Sequence, residues 1–152
     1  MMQMTVRENA SLAILDRLQI AGILRPGQER RETENVLDIL RVKAESGDAP
    51  ASTLSGGNQQ KVLLGRWLLV NPDVLFLDDP ARGIDIGAKY DIYQVLDQLS
   101  AAGKGILLVS SELPELLRCC DRILVLHNGR SVGILDRAEA TQERIMALAT
   151  SV

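Results

Sequence analysis

Three short apolar runs, Val74 to Asp78, Ile106 to Ser110 and Ile123 to His127, constrain the fold of this chain more than any other feature. Each is continuous rather than alternating, the pattern of a strand buried on both faces of a parallel sheet. Parallel strands need a crossover, and the segment between the first two runs supplies one, with Ile92, Val95, Leu96 and Leu99 at helical spacing. The expectation is an α/β fold built on a βαβ unit. Downstream, Glu112-Leu113-Pro114-Glu115 opens another helix, with its proline in the first turn, where no N–H partner is lost. Asn128-Gly129 turns the chain toward a strand from Ser131 to Leu135, and Thr141 caps a final helix through Ala149.

The region before the strands reads as helical. Thr5 and Glu8 fit a capping box opening a helix with Leu12, Leu15 and Leu18 on one side, broken by Arg25-Pro26-Gly27. A second helix from about Glu29 carries Val36, Leu37 and Leu40 among charged residues that form a solvated face. From Ser46 to Ser55 the composition turns to Gly, Asp, Pro, Ala and Ser, marking a linker. A helix follows it, whose Leu63, Leu64, Trp67 and Leu68 are expected in the core.

Chemistry begins at the entry to that helix. Ser55-Gly56-Gly57 precedes a helix start near Asn58, so free N–H groups point at residues without bulky side chains, and an anion can approach the backbone closely. Composition excludes several classes of function. Seventeen basic residues against 20 acidic ones give a net charge of −3, and aromatic residues make up 3%, so neither charge nor stacking surface suits a nucleic-acid binder. The apolar runs are too short to span a membrane, and Arg7 and Glu8 interrupt any secretory signal. Cys119 and Cys120 are adjacent, without metal-ligand spacing, and read as two reduced thiols. His127, the only histidine, lies inside an apolar run and reads as a satisfied structural residue.

Taken together, Leu54-Ser55-Gly56-Gly57-Asn58-Gln59-Gln60-Lys61-Val62 and Val74-Leu75-Phe76-Leu77-Asp78-Asp79-Pro80 resemble the signature motif and the Walker B strand of ABC-type ATPases. Arg82-Gly83-Ile84-Asp85 resembles the D-loop, although a turn followed by a helix cap explains Asp85 equally well. Asn58-Gln59-Gln60-Lys61, Arg82 to Gly87 and Ser110-Ser111-Glu112-Leu113-Pro114-Glu115 are similar to the second ATPase domain of the tandem sugar importers of bacteria, the ribose, galactose and xylose group. The resemblance covers nearly the whole chain. It implies a P-loop-NTPase-like parallel sheet with flanking helices, truncated because no G-x-x-x-x-G-K-[ST] phosphate loop occurs. The implied divisions are a partial helical subdomain over 1–50, a nucleotide-binding core with signature, Walker B and D-loop over 51–136, and a C-terminal helix over 137–152.

The resemblance also assigns roles. Ser55, Gly56, Gly57, Asn58, Gln59 and Asp85 would contact ATP, and Asp78 would hold its Mg²⁺. Asp79 stands where the family has a catalytic glutamate, a shortening of about 1.5 Å, and a misplacement near 1 Å can lower a rate by ~10²-fold. Ser111 stands where most members have a switch histidine; it can donate a hydrogen bond but cannot become a cation. The implied partners are a second ABC ATPase domain and transmembrane permease subunits, with no nucleic acid and no direct sugar contact. The implied location is cytoplasmic, peripheral on the inner face of the membrane. The expected function is the ATP-binding component of a carbohydrate importer, supplying its signature to a partner's nucleotide site and inactive alone. A non-catalytic regulatory or binding remnant, or a soluble non-transport ABC ATPase, are the alternatives. In related ATPases the strand feeding the phosphate loop lies between the strands at 106–110 and 123–127, so unpaired edges are expected there.

Overall fold

The computed structural model describes residues 1–150 and divides into two compact units. Unit 1 comprises Met1–Leu75 and Pro80–Ile106; unit 2 comprises Phe76–Asp79 and Leu107–Val152. The chain is ordered as α1 (Val6–Ser11), α2 (Leu15–Leu18), β1 (Gln19–Ile20), β2 (Ile23–Leu24), α3 (Pro26–Ile39), α4 (Gly56–Val70), β3 (Val74–Asp78), α5 (Ile86–Ala101), β4 (Gly105–Val109), α6 (Leu113–Cys119), β5 (Arg122–His127), β6 (Arg130–Asp136) and α7 (Gln142–Thr150).

Unit 1 begins with the expected capping box. The Glu8 amide donates to Thr5 Oγ1 at 3.1 Å and the Thr5 amide to Glu8 Oε2 at 2.8 Å, so two donors at the start of α1 are satisfied reciprocally. The helix does not continue to residue 25. A 3₁₀ turn at Leu12–Ile14 tightens it, which rotates Ile14 inward and leaves Leu15 on the surface. A short antiparallel hairpin then intervenes, reversing at Ala21 and Gly22, both at positive φ. α3 starts at Pro26, where a fixed φ suits the first helical turn. Its Val36 and Leu37, with Leu40 just beyond, are buried as the spacing predicts.

α4 packs against both α1 and α3. Arg66 on α4 donates to the Asn9 carbonyl at 2.8 Å and to Asn9 Oδ1 at 3.1 Å, satisfying a buried asparagine on α1. Val62 and Leu64 face the core, but Trp67 is 51% exposed and Leu63 is also exposed, contrary to expectation: the two lie one turn apart and so share the face of α4 turned away from the core. α4 ends at Asn71 in the left-handed conformation, and Pro72 prevents its continuation.

β3 and β4 pair with each other. The Gly105 amide donates to the Asp73 carbonyl and the Asp79 amide to the Val109 carbonyl, each at 2.8 Å, so both strands run in the same direction. α5 is the crossover joining them, with Ile92, Val95 and Leu96 buried. In unit 2, β5 differs from the parallel strand expected: among the described residues it pairs with β6, in an antiparallel hairpin turned by Asn128-Gly129 and bulged between Val125 and Leu126. Ile123, Val125 and Leu135 of this hairpin pack with Ile145 of α7, and Leu113, Leu116 and Leu117 of α6 add to the cluster. His127 holds α7 in place, its Nδ1 lying 2.6 Å from the Ala149 carbonyl and its Nε2 2.8 Å from Asn128 Nδ2.

Candidate functional site

The candidate residues fall into two groups. In unit 1 they gather where α4 and α5 begin. Ser55 is the N-cap of α4, which therefore opens at Gly56 rather than near Asn58. Its Oγ accepts from the Asn58 amide at 3.4 Å and from Asn58 Nδ2 at 2.9 Å. Asn58 Oδ1 in turn accepts from the Lys43 amide at 2.8 Å, and Gln59 Nε2 donates to the Leu54 carbonyl at 2.9 Å. Ser55 and Gly56 are exposed, so the start of a 15-residue helix is open to solvent at its first residue, which carries no side chain.

Gly57 is buried for a steric reason. A Cβ on it would lie 2.7 Å from the Ala88 Cβ and 3.5 Å from Asp85 Oδ2, so only glycine permits this approach of α4 to α5. Asp85 caps α5, its Oδ1 accepting from the Ala88 amide at 3.0 Å. The cap reading is thus realised, and it also fixes the carboxylate beside Gly57.

The sequence reading missed the ion pair beneath these caps. Lys61 is buried, its side chain only 4% exposed, and its Nζ lies 2.5 Å from Asp91 Oδ2 on α5 and 3.2 Å from the Arg41 carbonyl. Arg41 reaches the other oxygen of Asp91 at 3.3 Å. Chiefly through the Lys61 hydrogen bond, the Asp91 carboxyl is held below the usual carboxylate range. A lysine within the motif followed thirty residues later by an aspartate on an amphipathic helix was the only available signal.

In unit 2, Asp78 is exposed at the C-terminal end of β3, the edge where α/β sheets present ligand-binding residues. Asp79 follows at φ 43°, a left-handed conformation uncommon outside glycine, asparagine and aspartate. Its Oδ1 accepts from both the Ser111 amide at 2.7 Å and Ser111 Oγ at 3.0 Å. The Asp79 and Ser111 side chains therefore bond to one another. Ser110 Oγ in turn makes a very short hydrogen bond to the buried carboxylate of Glu115.

A cavity of about 320 Å³ lies elsewhere in unit 1, among α3, α4 and α5, lined by Val36, Ile39, Leu68, Val95 and Leu99 and others; no candidate residue borders it. Both cysteines are free thiols, and burial pushes the Cys120 thiol above its usual range, away from the reactive thiolate form. No helix among the described residues is long and apolar enough to cross a membrane.

Comparison with known proteins gives one family. The family model described as ABC transporter matches residues 1–82. The chain is 47% identical over 146 residues to the ribose import ATP-binding protein RbsA of Bacillus cereus, an alignment taking in 96% of this chain and 29% of that protein. It is 48% identical over 145 residues to the L-arabinose transport ATP-binding protein AraG of Geobacillus stearothermophilus, with 95% and 28% covered. For the galactose/methyl galactoside import ATP-binding protein MglA of Clostridium perfringens the identity is 49% over 141 residues, with 92% and 27% covered. The chain thus spans under a third of the length of these relatives. Among solved structures, the ATP-binding cassette MJ1267 superposes with a TM-score of 0.78 at 23% identity, covering 96% of this chain and 62% of that one. The cassette MJ0796, in a dimeric post-hydrolysis state with ADP and Pi, gives 0.75 at 21%, covering 90% and 58%. The fold is that of an ABC cassette, and the chain belongs to the ABC transporter ATP-binding family, close to its sugar-import members.

Proposed function

We propose that this chain is the signature-bearing part of the ATP-binding component of a carbohydrate ABC importer, and that it completes a nucleotide site whose phosphate loop lies on a partner ATPase domain. The observation that carries this reading is the outward-facing start of α4, capped by Ser55 and bare at Gly56. Such a terminus suits a phosphate group, because unpaired N–H groups and the helix dipole act together. Gly56 allows close approach, Gly57 lets α5 and Asp85 lie against the same turn, Ser55 can donate its hydroxyl proton, and Asn58 and Gln59 hold the preceding loop in place. Asp85, at the start of α5, stands next to the same turn.

The donor set also fits Mg²⁺ of the kind that accompanies a nucleotide. Mg²⁺ in such sites takes one or two carboxylates and completes its shell with phosphate oxygens and water, and Asp78 offers one exposed carboxylate at a strand end. When bound, the ion supplies charge neutralisation to phosphoryl transfer. The division into a helical subdomain over 1–50, a nucleotide core over 51–136 and a C-terminal helix belongs to this proposal, as do contacts with permease subunits and a position on the inner face of the membrane.

A second reading, a regulatory part without turnover, is favoured by the bond between Asp79 and Ser111. That bond occupies the carboxylate oxygen and hydroxyl that would otherwise address water and a γ-phosphate. Both readings hold at once when the partner's site performs hydrolysis and the site of Asp79 and Ser111 does not.

The test is steady-state ATP hydrolysis by a tandem protein that joins this chain to a phosphate loop and a first ATPase domain. Ser55→Arg is expected to lower turnover at least ~10-fold, equivalent to ~1.4 kcal/mol of barrier, by filling the bare first turn of α4. Asp79→Glu should raise it only slightly, because Ser111 leaves the same site without a histidine. Unchanged turnover in Ser55→Arg, with a multiple-fold gain in Asp79→Glu, would invert the assignment.

A further inference from the structure

Glu115 is the least explained polar residue of unit 2. It is 4% exposed, and its Oε1 has no hydrogen-bond partner. An orphaned buried oxygen lowers stability, so a carboxylate kept there calls for a reason other than folding. Its other oxygen, Oε2, receives the very short hydrogen bond from Ser110 Oγ. Ser110 Oγ accepts in turn from the Glu112 amide at 3.0 Å, which leaves that hydroxyl with little freedom to rotate. The next residue along the chain is Ser111, whose amide and hydroxyl both point at Asp79 Oδ1. A single line thus runs from Glu115 on α6 by a hydrogen bond to Ser110, along the backbone to Ser111, and by hydrogen bonds to Asp79 at the end of β3, entirely within unit 2.

We infer that Glu115 is a positioning residue for Asp79: by anchoring Ser110 it aims the two donors of Ser111 at the Asp79 carboxylate and fixes where that carboxylate lies. Three features support this. The Asp79 backbone sits at positive φ and is not held there by glycine-like freedom, so it depends on its bonds. Ser111 is exposed, so packing does not immobilise it. Glu115 is the only member of the line that is fully enclosed, and is therefore the one able to act as a fixed point. The consequence for chemistry rests on reading Asp79 as a carboxylate of a nucleotide site.

The experiment is NMR on the full chain without nucleotide, following the Ser111 amide in the unaltered protein and in Glu115→Leu, Glu115→Gln and Ser110→Ala. In the unaltered protein the Ser111 amide, which donates to Asp79 Oδ1, should be protected from exchange. Glu115→Leu should speed exchange of the Ser111 amide at least ~10-fold, while the Val125 amide in the neighbouring hairpin changes less than about twofold. Ser110→Ala, which keeps Glu115 in place but removes its donor, should behave alike and keeps the test decisive if the leucine variant fails to fold. Glu115→Gln, whose carbonyl can still accept from Ser110, should retain the protection. The inference is overturned if the Ser111 amide keeps its protection in Ser110→Ala, or if exchange rises equally at Ser111 and Val125. Because no nucleotide is involved, that result would leave the proposed function standing, and a failed hydrolysis test would leave Glu115 untouched.

Discussion

At Lys61 a positive charge sits almost fully out of water, and its partner Asp91 is 23% exposed. Removing that partner strands the ammonium group. Asp91→Ala should therefore destabilise the chain by about 2 kcal/mol, less than a fully enclosed pair would lose, because solvent reaches Asp91 and the Arg41 carbonyl still accepts from Lys61. Denaturant unfolding measures this. The pH dependence has a definite sign. The Asp91 carboxyl is depressed in the folded chain, so its contribution is complete above the unfolded value, near 3.9, and is lost as pH falls through the lower folded value. Between pH ~8 and ~5 the Asp91→Ala deficit should stay constant, and it should shrink in more acid solution. A deficit that grows on acidification would show that Asp91 is not the acceptor of the pair. Gly57 offers a purely steric prediction. Gly57→Ala places a methyl group 2.7 Å from Ala88 Cβ and should destabilise by ~1–3 kcal/mol. Adding Ala88→Gly should recover part of the loss in a double-mutant cycle, beyond what its own effect accounts for.

At the level of elements, legibility followed the range of the forces involved. The capping box at Thr5 and Glu8, the proline-led start of α6, the Thr141 cap of α7 and the Asn128-Gly129 turn depend on neighbours a few residues away, and each formed where its residues indicated, whereas α3 opens at Pro26 and not near Glu29 as expected. Thr5→Ala should accordingly lower stability by about 1 kcal/mol, read as a shift in denaturation midpoint at constant slope. The interruption of the first helix at Leu12–Ile14 was not legible, since nothing in Ala13 or Leu15 forbids continuation and tertiary packing of Ile14 decides it. Trp67 was misjudged because its apolarity says nothing about which side of α4 it occupies. The signature residues and Asp85 were legible as helix starts, whereas their closeness through Gly57 and Ala88 was not. The bonds from Asp79 to Ser111 and from Lys61 to Asp91 join residues about thirty positions apart, and no local pattern encodes such pairs.

Across the whole molecule, much strand surface lacks cover. Phe76 is 76% exposed, and Leu107 and Val109 beside it, with Leu124, Leu126 and Ile134 on the hairpin, are exposed as well. β4 and β5 have no paired strand between them among the described residues, so open backbone edges accompany the apolar side chains. The isolated chain should bind an apolar dye in its native state and lose structure below about 65 °C, within the ordinary mesophile range. A dye-silent monomer with a cooperative transition above that temperature would contradict this picture. Unit 2 is also discontinuous: Phe76–Asp79 reaches it from upstream, separated from Leu107 by residues 80–106. Ser111 cannot meet Asp79 until that intervening segment has closed into a loop, which carries an entropic cost before any contact compensates for it. Formation of the line from Glu115 to Asp79 is therefore expected late in folding, after α5 has shortened the path between the two strands, and a nascent chain halted before Leu107 would hold Asp79 without its two Ser111 donors.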